Sequence, residues 1–465
     1  MSEKKFDILM FIYICLFMII IRYFTTFGMN TNVIDTMWQY DQAKKIADGL
    51  IPYKDFNMIT TPLYYWLSAI SIKLNRSFIS KLIFDDILMI FYYITLYKLS
   101  KCFYLSNVKT FAYISLSIML LNFGYAYNTL SLLFVLIIIY LLYTRTLNNK
   151  LLIICGILTG LSVLTKQTIG FFLFVAFCIY LFTENKLNVI NFLYYFFSVI
   201  LIGILFISYL IITKSLYNFF DYCVFGASSF IDNFYLQEYG LGILIFTVLN
   251  YSVFIYDKIL KKKELFYNKL LLFSVVFLVL SIPIIDFTHN IEVYVISLLY
   301  LFMIDDANAT YINKLKIFQT PLSLYFLLFS LGLTGHDVIY FKNMKFQNYK
   351  YDYIVQEANE IHYIEDIYDK PVMLVDTKYT YLAEFYDVDI NNVFNLFLHG
   401  NIGTKSAIDW VKGYLESGYI IAVGDLSGIT NKTQVCIEVP TWLEDNAELL
   451  YHNKETKTYY YAKKE

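Results

Sequence analysis

Apolar runs separated by short polar breaks fill the first three quarters of the chain. They fall at roughly 7–27, 80–100, 108–124, 127–144, 150–165, 168–183, 187–212, 240–257, 267–285, 288–304 and 317–335. A bilayer core is spanned by about 20 mostly apolar residues in a helix. Backbone polar groups cannot be left open in lipid, so runs of this kind must be helical. The period-2 alternation of a membrane barrel is absent. The pattern predicts an α-helical polytopic membrane protein with about eleven transmembrane helices.

Between the first two runs lies a long loop, 28–79. Its stretch DTMWQYDQAKKIADG (35–49) puts Met37, Tyr40, Lys44 and Ala47 on one helical face and Trp38, Asp41, Lys45 and Asp48 on another. That predicts a helix lying along the membrane interface. PYKDF (52–56) reads as a turn, and PLYYWLSAISIKL (62–74) as a second interfacial helix opened by Pro62. Beyond residue 338 the pattern changes. VMLVD (372–376), YIIAVG (419–424), VCIEV (435–439) and TKTYYYA (456–462) read as strands, SAIDWVKGYLES (406–417) and WLEDNAELL (442–450) as helices. Such alternation predicts a small α/β domain. The division is therefore a membrane domain over 1–338 and a C-terminal domain over 339–465.

Composition sharpens this. Of 465 residues, 58% are hydrophobic and only 16% charged, against roughly 25% charged in soluble domains. Disordered, collagen-like and ordinary soluble classes are excluded. Aromatics make up 20%, a bias in Tyr and Phe that carries no function by itself. Residues 341–465 hold 12 Lys+Arg against 19 Asp+Glu, a charge of −7, and the remainder holds 24 against 19, or +5. Basic loops such as DKILKKKELFYNK (257–269), with Lys4, Lys5, Lys98, Lys101 and Arg145, fall on one side if the spans alternate. The positive-inside rule then predicts a multi-pass cell-membrane protein with a cytoplasmic N-terminus and an extracytoplasmic tail. MSEKK followed by an apolar run reads as a retained signal-anchor helix. The six cysteines show no zinc-type spacing, so no metal ligands are assigned. Nucleotide-binding glycine loops and outward basic patches for nucleic acid are also lacking.

The outward segments hold the candidate chemistry. Asp35 follows the first span; it reads either as the N-cap of the helix after it or as a general base. Asp55 and Lys54 sit in the 52–56 turn, as plain turn residues or as groups lining the same pocket. Lys166 in LTKQTIG reads as a snorkelling lysine or as a cation reaching a phosphate, with Gln167 beside it. Asp286 and His289 in IPIIDFTHN occupy a very short outer turn, where ionisable groups are functional candidates. The aromatic loop 220–240 could cover a lipid or sugar, or serve as an interfacial belt.

Taken in order, Asp35, Gln39, Ala43, Gly49, Pro52, Tyr53, Asp55 and Pro62 resemble the first-loop signature of GT-C glycosyltransferases. The resemblance is to the dolichyl-phosphate-mannose mannosyltransferase-like, RgtA/B/C/D-like bacterial group. Lipid A aminoarabinose transferases and protein O-mannosyltransferases are more distant relatives. LTKQ (164–167) and PIIDFTH (283–289) stand where that group has its later motifs. The resemblance implies a polyprenyl-phosphate-linked sugar donor, a glycan, lipid or protein acceptor, and inversion at the sugar. It makes Asp35 the catalytic base, Asp55 a second acidic position, and Lys166 and His289 neighbours of the lipid phosphate; a divalent cation is optional. The sequence departs from the aminoarabinose transferases, which carry a Glu-Lys pair where Thr60 and Thr61 stand here. Thr36 likewise replaces the usual acidic neighbour of the catalytic aspartate. Phosphate neutralisation then falls to Lys54 or Lys166. The competing readings are a lipid-linked glycan flippase, which would show internal repeats and mid-span charges, and a non-catalytic membrane scaffold.

Overall fold

A computed structural model describes residues 3–27, 32–121, 126–183, 188–226, 235–236, 238–260, 268–281, 284–285, 287–303, 352–375, 397, 399–424 and 436–464. In chain order the helices are α1 (Glu3–Phe27), α2 (Asn32–Ala47), α3 (Leu63–Leu74), α4 (Phe78–Cys102), α5 (Asn107–Leu121), α6 (Ala126–Thr144), α7 (Asn149–Val163) and α8 (Gln167–Thr183). They continue with α9 (Val189–Ile212), α10 (Leu216–Phe220), α11 (Glu238–Leu260), α12 (Asn268–Leu278), α13 (Phe287–Phe302), α14 (Asp352–Tyr368), α15 (Ala407–Glu416) and α16 (Glu438–Asn446). Ten of the apolar runs coincide with helices α1, α4–α9 and α11–α13; the run 317–335 lies outside the described residues. Among the described residues, α6 and α9, of 19 and 24 residues, are each long and apolar enough to cross a membrane.

The chain divides into two compact units, both discontinuous. One comprises Met1–Asn32, Leu82–Phe206 and Phe234–Met344, the other Val33–Lys81, Ile207–Asn233 and Lys345–Glu465. The first unit is a helical bundle. In α1, Phe6, Met10, Ile14 and Met18 recur every four residues and are buried, while Ile8, Leu9, Ile12, Leu16 and Ile19 are exposed. A water-facing helix would carry polar residues there; an apolar outer face suits lipid. Buried hydroxyls and amides tie the helices together. Ser131 and Ser162 share a hydrogen bond of 2.8 Å, Tyr195 donates to Thr159 at 3.0 Å, and the Asn250 amide donates to Ser297 at 2.9 Å.

Helices α7 and α9 approach through Gly156 and Gly160, one turn apart. A Cβ on Gly156 would sit 2.5 Å from the Tyr195 carbonyl oxygen and 2.6 Å from the Ser198 Cβ. Small residues at this spacing let helix backbones close on each other. Gly156→Leu is therefore expected to destabilise the bundle by about 1–3 kcal/mol, the usual range for overpacking. Gly203→Ala in α9, where a Cβ meets nothing within 4 Å, should leave thermal unfolding in detergent unchanged or raised.

The second unit is built on a four-stranded sheet: β3 (Val372–Val375), β4 (Ile420–Gly424), β6 (Thr458–Lys463) and β5 (Ala447–Asn453), in that order. β3 and β4 are parallel, and α15 lies in the connection between them; β4–β6 and β5–β6 are antiparallel. Parallel pairing requires such a crossover. Side chains alternate between faces. Val372, Leu374, Ile420, Ala422 and Tyr460 share one buried cluster with Ile361 and Ile364 of α14, Trp38, Tyr40, Ala43 and Ala47 of α2, and Ala69 and Ile72 of α3. Met373, Val375, Ile421, Val423 and Tyr461 share the other with Ala407, Val411 and Leu415 of α15 and Val439 and Leu443 of α16.

Several expectations are corrected here. The apolar side of α2 is covered by the sheet and α14, so it is not that side that would meet lipid. VCIEV is not a strand: Cys436 precedes α16, and Pro440 falls in that helix's first turn. Proline has no N–H to give a central strand but fits a helix start. The second half of WLEDNAELL leaves the helix and begins β5.

Segment 207–233 joins this unit through Asp221. Its carboxylate accepts from the Thr404 N–H at 3.1 Å and the Thr404 hydroxyl at 2.6 Å. Gly403, at φ +78°, allows the approach, since a Cβ there would lie 2.0 Å from Asp221 Oδ2. Gly403→Ala combines a disfavoured backbone with a clash. A loss of about 2 kcal/mol or more is expected, read as a fall in Tm.

Candidate functional site

Asp35 lies in the first turn of α2, which begins at Asn32. The helix starts upstream of it, so Asp35 is not the N-cap that its position suggested. Four residues on, Gln39 is buried, and its carbonyl oxygen accepts from the Tyr64 hydroxyl at 3.1 Å and from Lys81 Nζ at 3.4 Å. Lys81 has no exposed surface. Asp41, also buried, pairs with Lys45 at 3.1 Å across one helical turn. The face of α2 that carries Gln39 is thus fixed by α3 and by the start of α4.

Lys54 and Asp55 are exposed on the 52–56 turn. The Asp55 carboxylate accepts the Ile51 N–H at 2.7 Å, closing the turn. Tyr53 adopts φ +67°, a left-handed conformation costly for a bulky residue. Its surroundings over-determine it. Its N–H reaches the Phe56 carbonyl at 3.0 Å, its hydroxyl donates to Thr60 O at 2.7 Å, and its own carbonyl accepts from the Asn218 amide at 2.7 Å. Its ring stands edge-on to Phe219. Burial pushes the Tyr53 phenol well above its ordinary value, with nearby Cys223 adding to the effect, so it stays a donor. Backbone strain held this firmly marks positions where geometry is under constraint.

In the helical unit, Lys166 occupies the short turn between α7 and α8, with Gln167 opening α8. Its Nζ donates to Asn128 Oδ1 at 2.7 Å and stands 5.3 Å from the centroid of the Tyr127 ring. Asn128 has no exposed surface. Among the described residues, its amide nitrogen has no hydrogen-bond partner. Lys166 is thus drawn inward onto α6 instead of extending along the bundle surface. The result is a cation, steadied by an aromatic face, and an amide donor collected at one helix junction; the cation and the donor suit an anion.

His289 is half-buried in the first turn of α13. The next residue, Asn290, is buried and accepts from Ser281 at 2.6 Å. Glu292 is fully buried on the same helix. Asp286 lies outside the described residues. Strands β1 (Tyr235–Leu236) and β2 (Ile284–Ile285) pair in parallel just before α13.

Sequence reasoning missed Asn128, Lys81, Asp85 and Glu292, all buried. Each was signalled by a polar or charged residue inside an apolar helical run. Asp85 is the eighth residue of α4 and Glu292 the sixth of α13. The seven residues singled out divide between the units. Asp35, Lys54 and Asp55 belong to the second; Lys166, Gln167 and His289 to the first, with Asp286 outside the described residues.

Residues 60–212 match the family model of dolichyl-phosphate-mannose-protein mannosyltransferases. No curated protein and no solved structure matches the chain. The matched stretch runs from Thr60 through α9 and includes Lys166 and Gln167; Asp35, Lys54, Asp55, Asp286 and His289 lie outside it.

Proposed function

Proceeding from that match to a family of polyprenyl-phosphate-sugar-dependent glycosyltransferases of GT-C type, we propose that this protein moves a sugar from a polyprenyl-phosphate donor to an extracytoplasmic acceptor. The acceptor is a cell-surface glycan, lipid or protein. The observation that carries the proposal is the family match over 60–212.

Chain order supports the sidedness this reaction needs. Stretches 33–81, 207–233 and 345–465 belong to one folded unit, which supports a topology with all three on one side of the membrane. Six helices, α4–α9, separate the first two stretches; α11, α12, α13 and the apolar run 317–335 separate the last two. Both numbers are even, as a shared side requires, and with α1 they give eleven crossings. The turn at 164–166 follows four helices, α4–α7, and the segment before α13 follows two, α11 and α12. This count supports reading Lys166 and His289 as outward-facing in the proposed topology. The basic loops favour an extracytoplasmic position for that side.

In the reaction, the Asp35 carboxylate takes the proton of an acceptor hydroxyl. The acceptor oxygen forms a bond to the anomeric carbon from the side opposite the phosphate, and the bond from that carbon to the phosphate oxygen breaks. Configuration inverts, and polyprenyl phosphate leaves with the electron pair. Lys166, held in place by Asn128, balances its charge, and a fixed cation requires no reorganisation as charge develops. The test is donor turnover: protein purified in detergent, a panel of radiolabelled polyprenyl-phosphate sugars, and membrane glycolipid and protein extracts as acceptors. Transfer of one sugar, with release of polyprenyl phosphate, is the expected result. Movement of intact glycolipid across vesicles without cleavage would replace this reading with the flippase.

A further inference from the structure

We propose that His399, Cys436 and Glu438 form a zinc site in the C-terminal sheet domain. One ligand atom from each, an imidazole nitrogen, the thiol sulfur and a carboxylate oxygen, lie within 4.8 Å of one another. His399 Nε2 and Glu438 Oε1 stand 3.3 Å apart. In a tetrahedral site with bonds of about 2.0–2.3 Å, ligand atoms stand roughly 3.5 Å apart. Small side-chain rotations close the remaining gap.

The three residues come from two segments that packing already fixes. His399 sits in a turn held by Trp410, whose indole N–H donates to Ile402 O at 2.9 Å. Glu438 is the first residue of α16, and Cys436, two residues earlier, is buried, with its carbonyl accepting the Val439 N–H at 3.1 Å. Phe397, Ile402, Cys436 and Val439 share one buried cluster beneath the ligands. The sulfur contacts Phe397 O weakly at 3.7 Å and also the backbone of His399, so the chain already brings it beside the imidazole. A half-exposed His–Glu pair is worth little as an ion pair, which leaves the convergence of three different ligand types to be explained.

The donor set selects the metal. Calcium and magnesium take oxygen ligands. Sulfur, nitrogen and oxygen together suit zinc, with water in the fourth position. The ion would pin the 399–402 turn to the start of α16. No cysteine spacing advertises the site, because 36 residues lie between His399 and Cys436 and only the fold unites them.

The test uses full-length protein in detergent, stripped with EDTA and desalted. Zinc is titrated against a chromophoric chelator, and cobalt(II) is added separately as a spectroscopic probe. One equivalent of zinc is expected, together with a thiolate-to-cobalt charge-transfer band. Cys436→Ser should abolish the band and weaken zinc at least tenfold; His399→Gln and Glu438→Gln should each weaken zinc while leaving the fold intact. Cys102→Ser, a half-buried cysteine elsewhere, should bind as wild type. Absence of stoichiometric zinc, or equal affinity in wild type and the His399 and Glu438 variants, would overturn the site whatever the transferase assay gives.

Discussion

Asp35→Asn is expected to remove sugar transfer while leaving the protein folded and able to hold its donor. Asparagine keeps the size of the side chain but cannot take a proton at neutral pH. Loss of a general base lowers rate by about 10²–10⁴. The reduction should fall on kcat, with the KM for donor little changed, because the base acts when the acceptor hydroxyl ionises. Asp55→Asn is the informative contrast. Its carboxylate is engaged with the Ile51 N–H in a turn that also holds the strained Tyr53. That substitution should lower Tm modestly and reduce rate far less than the change at Asp35. Transfer by Asp35→Asn within tenfold of wild type would remove Asp35 from the chemistry and move the search to the buried carboxylates Asp85 and Glu292.

Much of this architecture is legible in the sequence because lipid and backbone hydrogen bonding impose simple rules. An apolar run of adequate length becomes a helix whatever surrounds it, and so α1, α4–α9 and α11–α13 stand where the runs do. β3, β4, β6 and α15 are equally legible, since their periodicity is local. What is not legible depends on distant partners. The apolar side of α2 looks like a membrane-interface face because Trp38, Tyr40, Ala43 and Ala47 give no hint of partners more than 300 residues away, among them Val372 and Ile420. The 436–453 region misleads for a local reason. VCIEV has strand composition, but Pro440 fits a helix start, and the strand begins only after Asn446. Among the site residues, Lys166 is visible as a cation between two apolar runs. Asn128 is hidden in the run AYNTLSLL and acquires meaning only when α6 and the α7–α8 turn come together.

That pairing leads to the second large effect. Lys166→Met is expected to cut transfer by about 10²–10³, the scale on which removal of one preorganised charge-stabilising donor is felt. The loss should appear in both donor affinity and kcat, because phosphate is charged in the bound donor and more so as it departs. Methionine preserves the stem, so packing changes little, but Asn128 Oδ1 loses its 2.7 Å donor. A buried polar atom left without a partner costs about 1–3 kcal/mol, and Lys166→Met alone therefore confounds stability with chemistry. The double variant Lys166→Met with Asn128→Leu separates them. Leucine takes away the orphaned amide from an otherwise apolar helix, so the double variant should recover much of the Tm lost by the single one. It should recover none of the activity if Lys166 serves the phosphate. Lys166→Arg keeps the charge in a different geometry and should retain a measurable fraction of transfer. Recovery of both Tm and activity in the double variant would make the Lys166–Asn128 pair a structural bond between α6 and the α7–α8 turn, and phosphate neutralisation would have to come from another cation, with Lys54 and Lys81 the ones to test.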